Sequence, residues 1–327
     1  MSLCSGCYDG SHAFCDREDD DSAYDWLYRA CDTKTDAFLS FEAGKTLQTF
    51  RPFGVEIECY APDEDALSQV STNFPQAVGI SSDGSLHGAR GVEFQTPRMA
   101  GMTGERQITA MMAHLNERAF TVNQSCGLHV HLDATDFMPS DDTDTEFTRM
   151  SALRELMTFY LSFDDVLLAL LPHSRRTNSY CKAFKNAYAW EDLVGAVSRK
   201  KLEALWYKAT DADEVTRRKG WKYDESRYRG INFHSLFSGG HLEIRYHSGT
   251  LNARKILEWV NLHGRIMDKI SEKTIASPDA LFTLTLTEKI RLFFSLLELP
   301  GASRTYFETR IQKFNPGLAD EAMLCAA

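Results

Sequence analysis

The sequence lacks any apolar run near the roughly 20 residues that a bilayer-spanning helix needs. The longest candidate, Val166 to Leu171, is short and ends at Pro172. It lacks a signal-peptide pattern as well: the chain opens on cysteines and then an acidic run, Asp16 to Asp21, with no apolar stretch between. A membrane role is therefore not expected, and the reading is a cytoplasmic protein. Neither glycine-rich phosphate loop occurs, the Gly-x4-Gly-Lys-Ser/Thr type or the Gly-x-Gly-x-x-Gly type opening a helix. No basic stripe offsets a formal net charge of −10, so nucleic acid is not an expected partner. Internal repeats and low-complexity tracts are also missing.

What is present is an ordinary globular composition. Of 327 residues, 43% are hydrophobic and 25% charged, enough for a large core in one elaborate domain or two smaller ones. Of eight cysteines, Cys59, Cys126, Cys181 and Cys325 are scattered and read as reduced thiols. Cys126 and Cys181 lie near the motifs below, but small buried cysteines commonly serve packing alone. The other four crowd the first tenth of the chain. Cys4, Cys7, His12 and Cys15 have the types and short spacing of a structural zinc site, with Cys31 an alternative to His12. A reduced tail is the plainer alternative.

Residues 1–48 read as an acidic, cysteine-rich segment with partial helical spacing from residue 23. From residue 49 the pattern changes to short alternating runs. Val55–Cys59, Val92–Thr96, Leu128–Asp133 and Leu242–His247 have period two and are bounded by Gly or Pro. Helical spacing predicts helices over 106–119, 147–171, 192–207, 253–275 and 287–299. Strands and helices do not alternate regularly, which favours an α+β fold on one mostly antiparallel sheet. A helical insertion is expected over 141–225 and a helical C-terminal region over 253–327.

Residues two apart on a strand share a face. One face collects Val55, Ile57, Phe94, Val130, Ile244 and their like. The other collects Glu56, Glu58, Glu93, Gln95, His129, His131, Asp133, Glu243, Arg245 and His247, with no lysine and no serine. A solvated sheet face normally mixes Thr, Lys, Ser and Glu. Carboxylates crowded on neighbouring strands repel one another by several kcal/mol unless cations sit between them. Mostly carboxylate donors with one or two imidazoles favour Mg²⁺ or Mn²⁺ over zinc. Acid-held metal ions facing arginines are a common way to handle ATP phosphates.

Six motifs resemble, in order, those of the amidoligase family. They are Gly54-Val55-Glu56-Ile57-Glu58, Asp83-Gly84-Ser85-Leu86, Gly91 to Pro97, Cys126-Gly127-Leu128-His129-Val130-His131, Tyr228 to Asn232 and Leu242 to Leu251, together spanning roughly residues 52–265. The resemblance implies the superfamily of glutamine synthetase and glutamate–cysteine ligase. It implies a curved antiparallel sheet forming an active-site funnel, with helices on its outer face, and a chemistry that joins a carboxylate substrate to an amine at the expense of ATP. By that resemblance Glu56, Glu58, Glu93, His129 and Glu243 are metal ligands. Arg245 and Arg229 contact the transferred phosphate, His131 lies near ATP, and Asp83 positions or deprotonates the amine. Arg175-Arg176-Thr177-Asn178-Ser179-Tyr180-Cys181 resembles a shorter family motif and reads as a mobile substrate loop. Arg175, Arg176, Asn178, Tyr180, Asn232 and His247 are thus the substrate-side candidates. Two alternatives stay open: a phosphotransferase of the guanidino-kinase kind on the same fold, and a non-catalytic binding protein.

Overall fold

The computed structural model describes residues 38–74, 79–81, 86, 90–138, 143–185, 187–275 and 281–318. Asp83 and the Cys4, Cys7, His12, Cys15 group lie outside those residues.

The six strands are β1 (Phe53–Tyr60), β2 (Gly79–Ser81), β3 (Gly91–Gln95), β4 (Gly127–Asp133), β5 (Ile231–Asn232) and β6 (His241–Ser248). They form one sheet in the order β2-β3-β1-β4-β6-β5, and every pairing is antiparallel. The helices that matter below are α1 (Glu64–Asn73), α2 (Gly101–Glu117), α3 (Thr143–Ser162), α4 (Asp164–Ala169), α5 (His173–Arg176), α6 (Trp190–Val194), α7 (Arg199–Tyr207), α8 (Ala212–Lys219), α9 (His234–Gly239), α10 (Ala253–Ser271), α11 (Leu286–Leu297) and α12 (Gly301–Phe314). The fold is α+β, as the patterning predicts.

The apolar strand positions form the base of the core. Val55, Ile57, Phe94, Leu128, Val130, Leu132, Leu242 and Ile244 are all at most 1% exposed. Burial of this kind is worth about 25 cal/mol per Å² of apolar surface, and it is what fixes the register. Helix α10 packs against β4, α2 and α3. It starts where the Asn252 side chain accepts from the Lys255 amide, and buries Trp259, Val260, Leu262, Ile266 and Met267. Arg51 ties the layers at the entry to β1: it pairs with Asp268 of α10 at 2.9 Å and with Asp136, just after β4, at 2.7 Å.

Two expected helices are broken. The 147–171 segment divides at Phe163, and Asp164, the first residue of α4, takes its carboxylate into the core. There Asp164 accepts from the Tyr246 hydroxyl and, at 3.0 Å, from the Lys185 amide. The 192–207 segment divides after Gly195, and Ser198 caps α7 by accepting from Lys201 N. Of the helicity expected over 23–48, the described part has residue 38 in a 3-10 turn and none over residues 39–48.

Candidate active site

Register brings the polar residues together. Glu58 faces Glu93 across β1–β3, Glu56 faces His129 across β1–β4, and His131 faces Glu243 across β4–β6. Side chains at such positions on adjacent strands lie within mutual reach. Glu56 is the hinge of the group. Its Oε2 is 2.7 Å from His129 Nδ1 and its Oε1 is 3.2 Å from His131 Nε2. Glu243 Oε1 lies 3.6 Å from His129 Nδ1, and Glu58 Oε1 lies 3.8 Å from His129 Nε2. Two sets result, Glu56–His131–Glu243 and Glu56–Glu93–His129, each offering ligand atoms within 4.8 Å of one another.

The group is deeply set. Glu58, Glu93, His129, His131, Glu243 and Arg245 are 3–6% exposed, and the Glu56 side chain is 15% exposed. Burial pushes the Glu56 carboxyl up, but the imidazoles of His131 and His129 outweigh it and hold the group well below the usual carboxylate range. Burial likewise opposes ionisation of Glu243, and the Arg245 guanidinium, followed by His131 and His129, drives its carboxyl far down. Arg245 is desolvated too, yet Glu243 and Glu56 keep its guanidinium firmly charged. Four carboxyl groups therefore surround one permanent cation and two imidazoles, and divalent cations between them would offset their mutual repulsion.

Backbone and neighbouring groups hold these side chains in place. The Gly127 amide donates to Glu58 Oε2, and Gln95 Nε2 donates to Glu93 Oε1 at 2.9 Å. Asn232, on β5 opposite Glu243, donates through Nδ2 to Glu243 Oε2, and Ser235 Oγ donates to the same oxygen at 3.2 Å. Asn232 thus orients an acid of the group. Arg245 donates to Glu243 Oε1 and, through Nε at 3.4 Å, to the Tyr180 carbonyl.

Other candidates lie elsewhere. His247 is turned away. The pairing slips by one residue between Leu128 and Val130, so His247 faces Leu128 on the apolar side and packs against Trp259, with ring centroids 5.2 Å apart. Burial, reinforced by Arg310, lowers its pKa to about 3. The 175–181 segment is built of short helical turns rather than an open loop. Arg175 is buried and donates to the carbonyls of Tyr246 and Arg245, so it clamps the slipped part of β6. Arg176 donates to Leu171 and Phe314 carbonyls, and Asn178 accepts from the Tyr180 amide. Tyr180 is 49% exposed, and its carbonyl accepts from Arg245. Arg229 lies over the rings of Tyr188 and Trp206, 5.2 and 5.9 Å from their centroids. Cys126 and Cys181 are buried thiols, with pKa values raised by burial, which suits packing.

One neighbour was missed from the sequence. The His241 ring lies 5.2 Å from that of His131, and burial, then His131, lowers its pKa to about 3. Alternation carried one step back from Glu243 would have found it, but Gly239-Gly240 suggested a later strand start.

A family model described as "Putative amidoligase enzyme" matches residues 61–267. That span holds Glu93, His129, His131, Asn232, Glu243 and Arg245; Glu56 and Glu58 fall just before it. Among solved structures, one titled "GmaS/ADP complex-Conformation 1" matches at 11% identity with a TM-score of 0.39, covering 83% of this chain and 70% of that chain. No curated protein matches the chain.

Proposed function

This chain belongs to the amidoligase family, and we propose that it is an ATP-dependent ligase that joins a carboxylate to an amine through an acyl phosphate. The observation that carries the proposal is the buried group of four carboxylates around one permanent cation, with two imidazoles on strands β4. Its donors are carboxylate oxygens and imidazole nitrogens, the set that suits Mg²⁺ or Mn²⁺. Glu56, Glu93 and His129 would hold one ion, and Glu56, His131 and Glu243 a second, with Glu58 beside them. Divalent cations there would neutralise the ATP phosphates. The polar face of the sheet would then be the floor of a funnel.

A carboxylate is a poor electrophile, so one of its oxygens first takes the γ-phosphoryl group and ADP leaves. Arg245, fixed by Glu243 and the Tyr180 carbonyl, carries charge that builds on the transferring phosphoryl oxygens. Such a preoriented guanidinium needs no reorganisation when the charge appears. The amine then attacks the acyl carbon, and phosphate leaves with the carboxylate oxygen it received. The ammonium proton passes to a carboxylate base, for which the family resemblance suggests Asp83, a residue outside the described ones. Asn232 and Ser235 keep Glu243 aimed at the site.

The test is turnover of Mg²⁺–ATP across a pool of amino acids, polyamines and peptides, with mass spectrometry of products, for wild type and Glu56→Ala. A condensed amide product with ADP and phosphate, absent from the variant, is expected. A phosphorylated product with no condensation would instead assign a phosphotransferase.

A further inference from the structure

Beside the acid–imidazole group, residues 217–229 hold six Arg and Lys against two acids, in a chain of net charge −10. Arg218 covers both acids, 2.8 Å from Asp224 and 3.7 Å from Glu225, while Arg217 pairs with Glu214 at 3.9 Å and Lys219 with Glu203 at 3.3 Å. Lys222 and Arg227 are left with no ion pair among the described residues, and both lie over rings. Lys222 Nζ is 5.5 Å from the Tyr223 centroid, and the Arg227 guanidinium lies 5.7 Å from Tyr223 and 5.8 Å from Tyr228. Tyr228 meets Tyr180 edge-on at 5.6 Å. The Tyr180 carbonyl in turn accepts from Arg245. A strip of rings and cations, Tyr180, Tyr228, Arg227, Tyr223 and Lys222, therefore begins at the residue whose carbonyl holds the site arginine, with Trp221 two residues from Tyr223 in the chain.

The strip is open to solvent. Trp221, Tyr223 and Tyr180 are 53, 55 and 49% exposed, and they are the exposed Trp and Tyr residues among the described residues. Exposed aromatics gathered in one place mark a binding surface. Tyr and Trp give large, stiff contact area at low entropic cost, and a guanidinium and an ammonium without a carboxylate partner among the described residues favour carboxylates; Arg227 Nη1 donates to the Lys222 carbonyl at 3.2 Å.

We propose that this strip seats the carboxylate substrate as an extended acidic peptide and leads its reacting carboxylate past Tyr180 to Arg245, an inference that rests on the ligase reading above. The extent of the strip argues for a chain rather than a nucleotide base. A base stacks on one ring and carries no charge there, whereas this surface repeats ring and cation over several side chains.

The test is calorimetric titration with hexaglutamate, free glutamate, Mg²⁺–ATP and tripolyphosphate, on wild type, Trp221→Ala and the double variant Tyr223→Ala/Arg227→Gln. Thermal melting of each variant confirms folding. Wild type is expected to bind hexaglutamate at least tenfold more tightly than glutamate. The double variant loses most of that difference, Trp221→Ala loses part of it, and added salt weakens it. Equal affinity for hexaglutamate and glutamate, or hexaglutamate binding unchanged in both variants, overturns the proposal. So does a loss of Mg²⁺–ATP affinity in the variants while tripolyphosphate binding holds, which would assign the strip to the base. Tight, variant-sensitive hexaglutamate binding with no Mg²⁺–ATP binding by wild type would refute the ligase reading alone and leave the strip as a peptide site.

Discussion

Glu56 touches both imidazoles and belongs to both candidate ligand sets, so its charge should matter more than that of any neighbour. Glu56→Gln keeps the shape and removes the charge. It is expected to weaken Mn²⁺ binding at least a hundredfold by calorimetry, and an unchanged titration would contradict the shared-acid arrangement. Asn232 acts through Glu243, whose Oε2 it holds. Groups that orient metal ligands typically contribute about 10- to 100-fold in affinity. Asn232→Ala should weaken Mn²⁺ binding in that range, while Asn232→Asp, which cannot donate when ionised, should do worse. Asp164 gives a pH prediction away from the site. Burial outweighs its hydrogen bonds and raises its pKa to about 6, against about 3.9 in an unfolded chain. Between those values the folded protein holds a proton that the unfolded chain releases. The contribution of Asp164 to stability therefore grows as pH falls from 7 towards 4, by up to roughly 3 kcal/mol, while the buried neutral rings of His241 and His247 act in the opposite sense. Urea unfolding at pH 5, 6 and 7 should show the stability of wild type relative to Asp164→Asn increasing as pH falls; a constant difference would contradict the raised pKa.

The slipped pairing of β4 with β6 shapes the site's far end. It rotates His247 to the helix side, and Arg175 clamps the displaced carbonyls of Arg245 and Tyr246. The Tyr246 ring then fills the space over Gly230, where an added Cβ would lie 1.8 Å from the ring. That atom belongs to a buried ring held by Asp164 and the Phe184 amide, so it has little room to yield. Gly230→Ala is expected to destabilise the protein by about 3 kcal/mol or more by chemical denaturation; a loss under about 1 kcal/mol would mean that the ring moves freely. This element also shows what a sequence can carry. Period two on four strands was enough to put Glu56, Glu58, Glu93, His129, His131, Glu243 and Arg245 on one face, because burial of the other face fixes register strand by strand. The slip left no local mark, since a bulge is a property of two strands and not of one. His247 was assigned by alternation that the bulge interrupts. Arg175 read as a substrate residue because its type and loop position say nothing about the backbone carbonyls it meets. The break at Phe163 was likewise hidden: the apolar spacing continues through it, and only the tertiary demand of Tyr246 for Asp164 ends the helix there.

Across the whole molecule, one continuous core joins the sheet to the helices, from Phe53 on β1 to Ile311 on α12. Among the described residues no helix is long and apolar enough to cross a membrane. The acid-rich balance of the chain leaves two places that depart from it in opposite ways. One is the acid–imidazole group, buried and short of positive charge. The other is the 217–229 strip, exposed and cationic, joined to it through Tyr180 and Arg245. On the proposed reading, the first, on the inner strands β3, β1, β4 and β6, would hold metal-bound phosphates, and the second would hold a carboxylate-rich partner. In the proposed reaction a carboxylate is activated by phosphoryl transfer before the amine arrives. This step is tested most directly by exchanging ¹⁸O into the carboxylates of the substrate pool, adding Mg²⁺–ATP and enzyme, and weighing the inorganic phosphate released. An acyl phosphate hands one carboxylate oxygen to phosphate, so the account predicts ¹⁸O-labelled phosphate in step with amide formation. Unlabelled phosphate accompanying an amide product would contradict it.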